Sequence, residues 1–292
     1  MSATFWIFLF LALILPVSAD PTQPLQKFEN CTYVPTDWAD GDSFRIKTAA
    51  GEEHTIRLYG VDCMEWHVQD DSDARRLRAQ RRYFGITGAA PNPQAAIGMA
   101  KNFGKDAADQ TASLLARPFT IHTRMRDALG DGKYKRIYAF VACADGGDLS
   151  ATLVKNGLAR AFGVDSDTPD GKTIKESASV LADLEMQAAK RGAGIWAKTD
   201  WDKLPAERQA QRMDDEEANL AIGKQNLPAN VKVDPNKASR DELMKLPGIG
   251  EEMADRIIEH RPYTKAEDLL EVSGIGPKSI GKLSPHLIFP KS

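Results

Sequence analysis

Apolar and polar positions alternate through two neighbouring stretches near the start of the chain, "SFRIK" and "HTIRLYGV". Phe44 and Ile46, then Ile56 and Leu58, mark every second residue, the period of a half-buried strand. Asp40-Gly41-Asp42 precedes the first stretch and Ala49-Ala50-Gly51-Glu52 separates the two, so a hairpin is expected. "FTIHTRM" and "RIYAFVAC" predict further strands. Helical spacing appears between and after them. In "GKDAADQTASLLARP" the apolar positions are Ala107, Ala108, Leu114 and Leu115, ended by Pro118. "DLSATLVKNGLARAFG" places Leu149, Leu153, Val154 and Leu158 on one face, and "ASVLADLEMQAAKRGAGIW" closes on Gly192 and Gly194. These elements predict an α+β domain over residues 28–198, a small five-stranded barrel carrying helices.

Two stretches depart from this pattern. Residues 66–102 carry Arg75, Arg76, Arg78, Arg81 and Arg82, then the Gly/Ala/Pro-rich "GITGAAPNPQAA", and read as a basic helix-and-loop insertion. Residues 199–230 are polar and include "RMDDEEAN", a linker with some helical character. Residues 231–292 form an internal repeat: "DELMKLPGIGEEMADRI" returns as "EDLLEVSGIGPKSIGKL" at an offset of 26 residues. Ser239 with Glu242, and Thr264 with Glu267, are expected capping boxes, so each unit reads as helix, Gly-Ile-Gly turn, helix. This part is a small all-α domain.

The first residues, "MSATFWIFLFLALILPVSAD", hold an apolar run from Phe5 to Leu15 followed by Val17-Ser18-Ala19. That length suits a signal peptide over residues 1–19, cleaved after Ala19, and is short for a bilayer span. Export is expected, with an uncleaved membrane anchor as the alternative. A net charge of −3 gives no whole-molecule pull toward polyanions, so contacts with nucleic acid must be local. Five dispersed histidines, without HExxH or CxxC, argue against zinc. Cys31, Cys63 and Cys143 leave one thiol over if any bridge forms; a Cys31–Cys143 disulfide and buried free thiols both remain open.

"IRLYGVDCMEWH" threads Arg57, Asp62 and Glu65 through the end of a predicted buried strand, while Asp42 opens another. Carboxylates gathered from adjacent strands suit a hard cation such as Ca²⁺. Arg57, facing away from Ile56 and Leu58, and Arg136 in "GKYKRIYAFV" add cations. Metal and guanidiniums together can take the charge of a phosphate oxyanion while a carboxylate handles attacking water.

The motifs "DGDS", "IRLYGVDCME", "GKYKRIYAFV", "LVKNGLA" and "AAKRGAGIW", in this order, resemble the staphylococcal (thermonuclease) family of secreted, calcium-dependent nucleases. The resemblance implies an OB-type barrel and phosphodiester hydrolysis that leaves 3′-phosphate ends. It implies Asp42, Asp62 and the Cys63 carbonyl as Ca²⁺ ligands, Glu65 as base or water-orienting group, and Arg57 and Arg136 as phosphate ligands. Lys133 and Tyr134 match positions that touch the nucleotide's terminal phosphate. Where the family has Thr or Ala followed by Pro before the glutamate, this chain has Cys63-Met64, which removes a rigid element from the loop that aims Glu65.

The repeat resembles tandem helix-hairpin-helix domains of competence-type DNA receptors and repair proteins. That implies contact with phosphates, without base readout, through Gly248-Ile249-Gly250 and Gly274-Ile275-Gly276. A protein-docking module is the alternative for this part. For the whole chain the expectation is an exported Ca²⁺-dependent endonuclease that acts on single- and double-stranded DNA, with RNA left open. No obligate protein partner is inferred. The alternative is a non-catalytic DNA-capture or uptake receptor with an inactive barrel.

Overall fold

The structure, a computed structural model, describes residues 24–128, 135–221, 232–272 and 274–289. The expected signal peptide lies outside them, as do Lys133 and Tyr134. The strands are β1 (Gln26–Val34), β2 (Ser43–Lys47), β3 (Glu53–Leu58), β4 (Val61–Cys63), β5 (Phe119–Thr123), β6 (Arg136–Ala142) and β7 (Ala159–Ala161). The first helices are α1 (Asp71–Phe84), α2 (Pro93–Leu114), α3 (Leu149–Lys155), α4 (Ile174–Arg191) and α5 (Leu204–Ala221). Shorter ones follow: α6 (Arg240–Leu243), α7 (Glu251–Glu259) and α8 (Pro277–Leu283).

Five strands close into a barrel in the order β1-β2-β3-β6-β5, and β4 pairs with β7 in a separate ribbon. The expected hairpin forms, with Ser43 opposite Arg57 and Lys47 opposite Glu53. β3 runs parallel to β6, which sets Thr55 beside Arg136 and Arg57 beside Tyr138. Alternation does what the sequence requires: Phe44, Ile46, Ile56, Leu58, Ile121 and Val141 fill the barrel, and Arg57 points out of it. Leu149, Leu153 and Val154 of α3 join the same core. All three cysteines are buried free thiols.

The insertion is more ordered than its composition suggests. α1 is capped by Asp70, which accepts the N–H groups of Ser72 and Asp73, and ends on Gly85 in the left-handed region. α2 starts at Pro93, inside the stretch read as loop, because Asn92 caps it and Pro93 suits a first turn. Its buried face is Ala96, Ala100, Gly104, Ala107, Ala108 and Thr111; the alanines favour helix, and Gly104 gives up propensity for close packing.

The polar stretch read as linker is largely α5, and α5 packs on α1. Arg82 donates to Asp214 at 2.7 Å and Gln211 at 3.1 Å, and Arg208 donates to the Tyr83 carbonyl at 2.9 Å. Trp201 stacks on Trp196 at 5.9 Å. Asp214, within the stretch read as linker, is thus a partner of the arginine helix.

The C-terminal units have their own core of Leu243, Leu246, Ile249, Ile257, Leu269, Val272, Ile275 and Leu283. The Ser239–Glu242 capping box is present. In the second unit Asp268, rather than Glu267, accepts the Thr264 N–H and O–H, and residues Ala266–Glu271 wind as a 3-10 helix. The tighter winding moves the cap one position along. This module rests on the barrel: Arg126 pairs with Asp255 at 2.9 Å and with Glu259, and Arg256 donates to the Gly163 carbonyl at 2.5 Å. Among the described residues no helix is long and apolar enough to cross a membrane.

Between the two modules lies a cleft of about 980 Å³ lined by Phe162, Asp165, Lys175, Gly248, Gly250 and Arg256. Burial raises the Asp165 carboxyl to about 6, against the pull of Arg256. The folded state therefore binds a proton more tightly than the unfolded chain, so stability falls as pH rises from about 4 to about 6. Above that window the penalty is complete, roughly 3 kcal/mol. Asp165→Asn should therefore stabilise the protein near neutral pH, and the gain should vanish toward pH 4. Urea unfolding of both proteins across that range checks it; a gain independent of pH would contradict the assignment.

Candidate active site

One end of the barrel gathers four carboxylates, Asp40, Asp42, Asp62 and Glu65, and four guanidiniums, Arg57, Arg76, Arg136 and Arg160. The sequence reading singled out Arg57, Asp42, Asp62, Glu65 and Arg136, and the fold brings all five together. It places Asp42 at the start of β2, Arg57 one position from the end of β3 and Asp62 on β4. Arg136 opens β6, beside β3.

Asp62 sits at the centre. Its Oδ1 accepts from Arg57 at 3.0 Å, and its Oδ2 accepts from Arg160 at 2.8 Å and Gln80 at 2.9 Å. Burial pushes this carboxyl up, but Arg160, Arg57 and Gln80 outweigh it and bring it down to about 2. Asp42 accepts from Arg57 and, at 2.6 Å, from the Cys63 backbone N–H. Arg57 thus bridges the two aspartates; burial works against its charge, and Asp42 and Asp62 more than restore it.

Asp40, which the sequence reading passed over, accepts the N–H groups of Asp42 at 3.0 Å and Ser43 at 2.6 Å. Its carboxyl is raised well above the ordinary range by burial and by the charges of Asp42 and Glu65. Two carboxylates that repel each other in this way are a place for a cation. Glu65 accepts from Arg76 at 2.6 Å; burial raises its pKa and Arg76 opposes the rise. The guanidiniums show the mirror image: burial and the neighbouring Arg57 lower the Arg136 pKa. Arg136 reaches Ser43 Oγ at 3.5 Å.

In chemical type, though not in the arrangement seen, the donors suit a hard divalent ion. They are all oxygen: the Asp40, Asp42 and Asp62 carboxylates and the Cys63 carbonyl. The Cys63 thiol takes no part, since it is buried in the barrel core and burial, with the Asp42 charge, raises its pKa well above the ordinary range. In the arrangement seen, the Arg57 guanidinium lies between Asp42 and Asp62, and among the described residues no three His, Cys, Asp or Glu side chains converge as a metal-binding group.

Four of these eight groups or their partners were not legible as site residues. Arg76 and Gln80 come from the insertion and Arg160 from β7, where only the Ala-Arg-Ala pattern hints at an outward cation. Gln80 did leave a signal: with Leu77 and Phe84 it forms the buried face of α1, a lone amide on an apolar stripe. In the C-terminal turns, Ile249 and Ile275 are buried in the module core, leaving open space around Gly248, Gly250 and Gly276, while Gly274 lies against Met253.

Removing Arg160 leaves the buried Asp62 short of its largest source of compensation. Arg160→Met should cost roughly 3 kcal/mol, as breaking a buried pair does, and much less when Asp62→Asn is already present. A double-mutant cycle by chemical denaturation measures this; equal costs in both backgrounds would reject the coupling.

Comparison with known families matches residues 55–198 to the staphylococcal nuclease homologues and residues 228–288 to the helix-hairpin-helix motif. No curated protein matches the chain. The first match begins inside β3, so β1, β2 and Asp42 are tied to it by the closed barrel. Sequence, barrel and charge cluster agree: the chain carries a staphylococcal nuclease homologue domain followed by a helix-hairpin-helix DNA-binding motif.

Proposed function

We propose that the protein is an exported, Ca²⁺-dependent endonuclease that hydrolyses DNA phosphodiester bonds and holds duplex DNA through its C-terminal module. The observation that carries this reading is the gathering of four carboxylates and four guanidiniums in one buried cluster beside the barrel. Asp40 and Asp42 crowd as carboxylates, and Arg57 and Arg136 crowd as guanidiniums. The first pair asks for a cation and the second for an anion, which together describe a phosphodiester and its metal.

Asp42, Asp62 and the Cys63 carbonyl would hold Ca²⁺, with Asp40 beside them; the ion supplies positive charge to the phosphate oxygens. Arg57 and Arg136 bind and orient the phosphate and offset the charge that grows on it as water attacks. Glu65 orients or deprotonates that water, and burial raises its basicity while Arg76 keeps it in place. Cleavage with loss of the 5′-oxygen, leaving a 3′-phosphate, follows from the family resemblance. The rival reading is a DNA-capture protein with an inactive barrel, and the position of Arg57 between Asp42 and Asp62 is what it would rest on. Plasmid cleavage in Ca²⁺, abolished by chelator, tests the proposal. Glu65→Gln and Arg136→Ala should each lower turnover by roughly 10²–10⁴-fold. Undiminished cleavage in excess chelator, or near-normal turnover in either variant, would count against it.

The first hairpin turn opens onto the inter-module cleft, across from Phe162. The Phe162 ring lies 3.9 Å from the Arg160 guanidinium, and Arg160 holds Asp62. A strand gripped at Gly248–Gly250 therefore lies beside a ring suited to base stacking on the way to the site. Gly250 and Gly276 have ordinary backbone angles and open space around them, unlike Gly248 and Gly274, which are left-handed. They are the clean probes. In a Glu65→Gln background, Gly250→Leu with Gly276→Leu should leave the melting temperature unchanged yet weaken duplex binding by roughly tenfold or more at low salt, less as salt rises. Equal affinities would make the module a protein-docking element instead.

A further inference from the structure

The loop from Asp62 to Glu65 carries two expected metal ligands and the catalytic carboxylate, but lacks the proline that the family resemblance places at position 64. Something else must fix it. Gln80, fully buried on α1, spends its side-chain amide on this loop. Its Oε1 accepts the Glu65 N–H at 2.8 Å; its Nε2 donates to the Cys63 carbonyl at 2.7 Å and to Asp62 Oδ2 at 2.9 Å. The amide orientation is set by these partners: exchanging its O and N would set like against like at all three contacts. One turn earlier on the same helix, Arg76 holds the Glu65 carboxylate at 2.6 Å. Residues four apart on one helix thus take the backbone and the side chain of the same glutamate.

The remaining sides of the loop are closed as well. Met64 packs between Leu77 and Phe84 of α1 and Ala100 of α2. At Gly104 of α2 the Met64 carbonyl comes so close that any Cβ would collide with it. On its other face α1 is tied to α5 by Arg78 and Arg82, both on Asp214. The loop is clamped from three directions, and among the described residues only the Gln80 side chain bonds to its backbone at both Cys63 and Glu65.

We propose, resting on the nuclease reading above, that Gln80 is a positioning residue: through α1 it supplies the loop rigidity that proline would otherwise give and so aims Glu65 at the attacking water. The insertion between β4 and α2 is then part of the catalytic apparatus. A displacement of about 1 Å at a reacting group costs on the order of 10²-fold in rate, which sets the expected effect.

The test uses the full-length protein and Gln80→Met, which keeps the volume and removes the amide. On a single-stranded oligonucleotide in Ca²⁺, Gln80→Met should lower kcat by roughly 30-fold or more and change KM by less than about threefold. The part of the loss that runs through Glu65 disappears when Glu65→Gln is already present, so the double variant should lose clearly less than the product of the two single losses. Wild-type kcat in Gln80→Met, or losses that simply multiply in the double variant, would overturn the proposal and leave Gln80 a packing residue. A readout independent of both activity and the variant's folding is hydrogen exchange in the wild-type chain. The Glu65 amide should be protected like the barrel strands; exchange at the rate of an exposed loop would also overturn the proposal. If the wild-type protein cleaves no DNA, the nuclease reading falls, and exchange at Glu65 still decides whether Gln80 holds the loop.

Discussion

Asp62 keeps its negative charge with only 5% of its side chain exposed because three elements reach it at once: Arg57 from β3, Arg160 from β7 and Gln80 from α1. A buried carboxylate without such partners gives up its charge or destabilises the fold by several kcal/mol. The barrel, the small ribbon and the insertion must therefore all be in place before the site exists, and the site in turn holds the three together. Apolar residues of the same shape could have joined these elements at least as firmly. Under the nuclease proposal, charge at this position prepares for a substrate that is itself an anion, approached with a cation.

The cluster balances overall but not locally, and the local imbalance is what a substrate can use. Burial and the charges of Asp42 and Glu65 raise the Asp40 pKa, while burial and the neighbouring Arg57 lower that of Arg136. With Arg57 set between Asp42 and Asp62, the guanidinium screens the two aspartates. A phosphate and a divalent ion arriving together would relieve both repulsions, giving Arg57 an oxyanion and the aspartates a cation. Neither alone would do so. That is a physical reason for substrate and metal to favour each other's binding here.

The barrel was legible because its strands obey a period of two and its hairpin has explicit turn residues; Phe44, Ile46, Ile56 and Leu58 face the core as the alternation requires. Five candidate site residues could be named because motifs fix their types and their order, and the fold brings these five together. What escaped was whatever depends on distant packing. The start of α2 hid behind a Gly/Ala/Pro composition, although Asn92-Pro93 is a sound helix opening. α5 read as linker because Gln211 and Asp214 have their partner 129 to 132 positions earlier, on Arg82. Gln80 could have been suspected from its place on an apolar stripe, but nothing in the sequence says that Asp62, Cys63 and Glu65 lie opposite.

The same long-range packing changes how the two modules depend on each other. α5 leaves the barrel domain toward the helix-hairpin-helix motif, yet it is bound to α1, and α1 holds the Glu65 loop. Cutting the chain near Lys198 would therefore remove more than a tether: it would strip the support from the helix that carries Gln80 and Arg76. Cutting after Ala221 would spare that support and remove only the second module, with its Arg126–Asp255 seat and its side of the cleft. A nuclease domain drawn to the end of the family match, at residue 198, is thus shorter than the unit that holds the active site, because the last helix of that unit lies in sequence that looks like solvent-exposed linker.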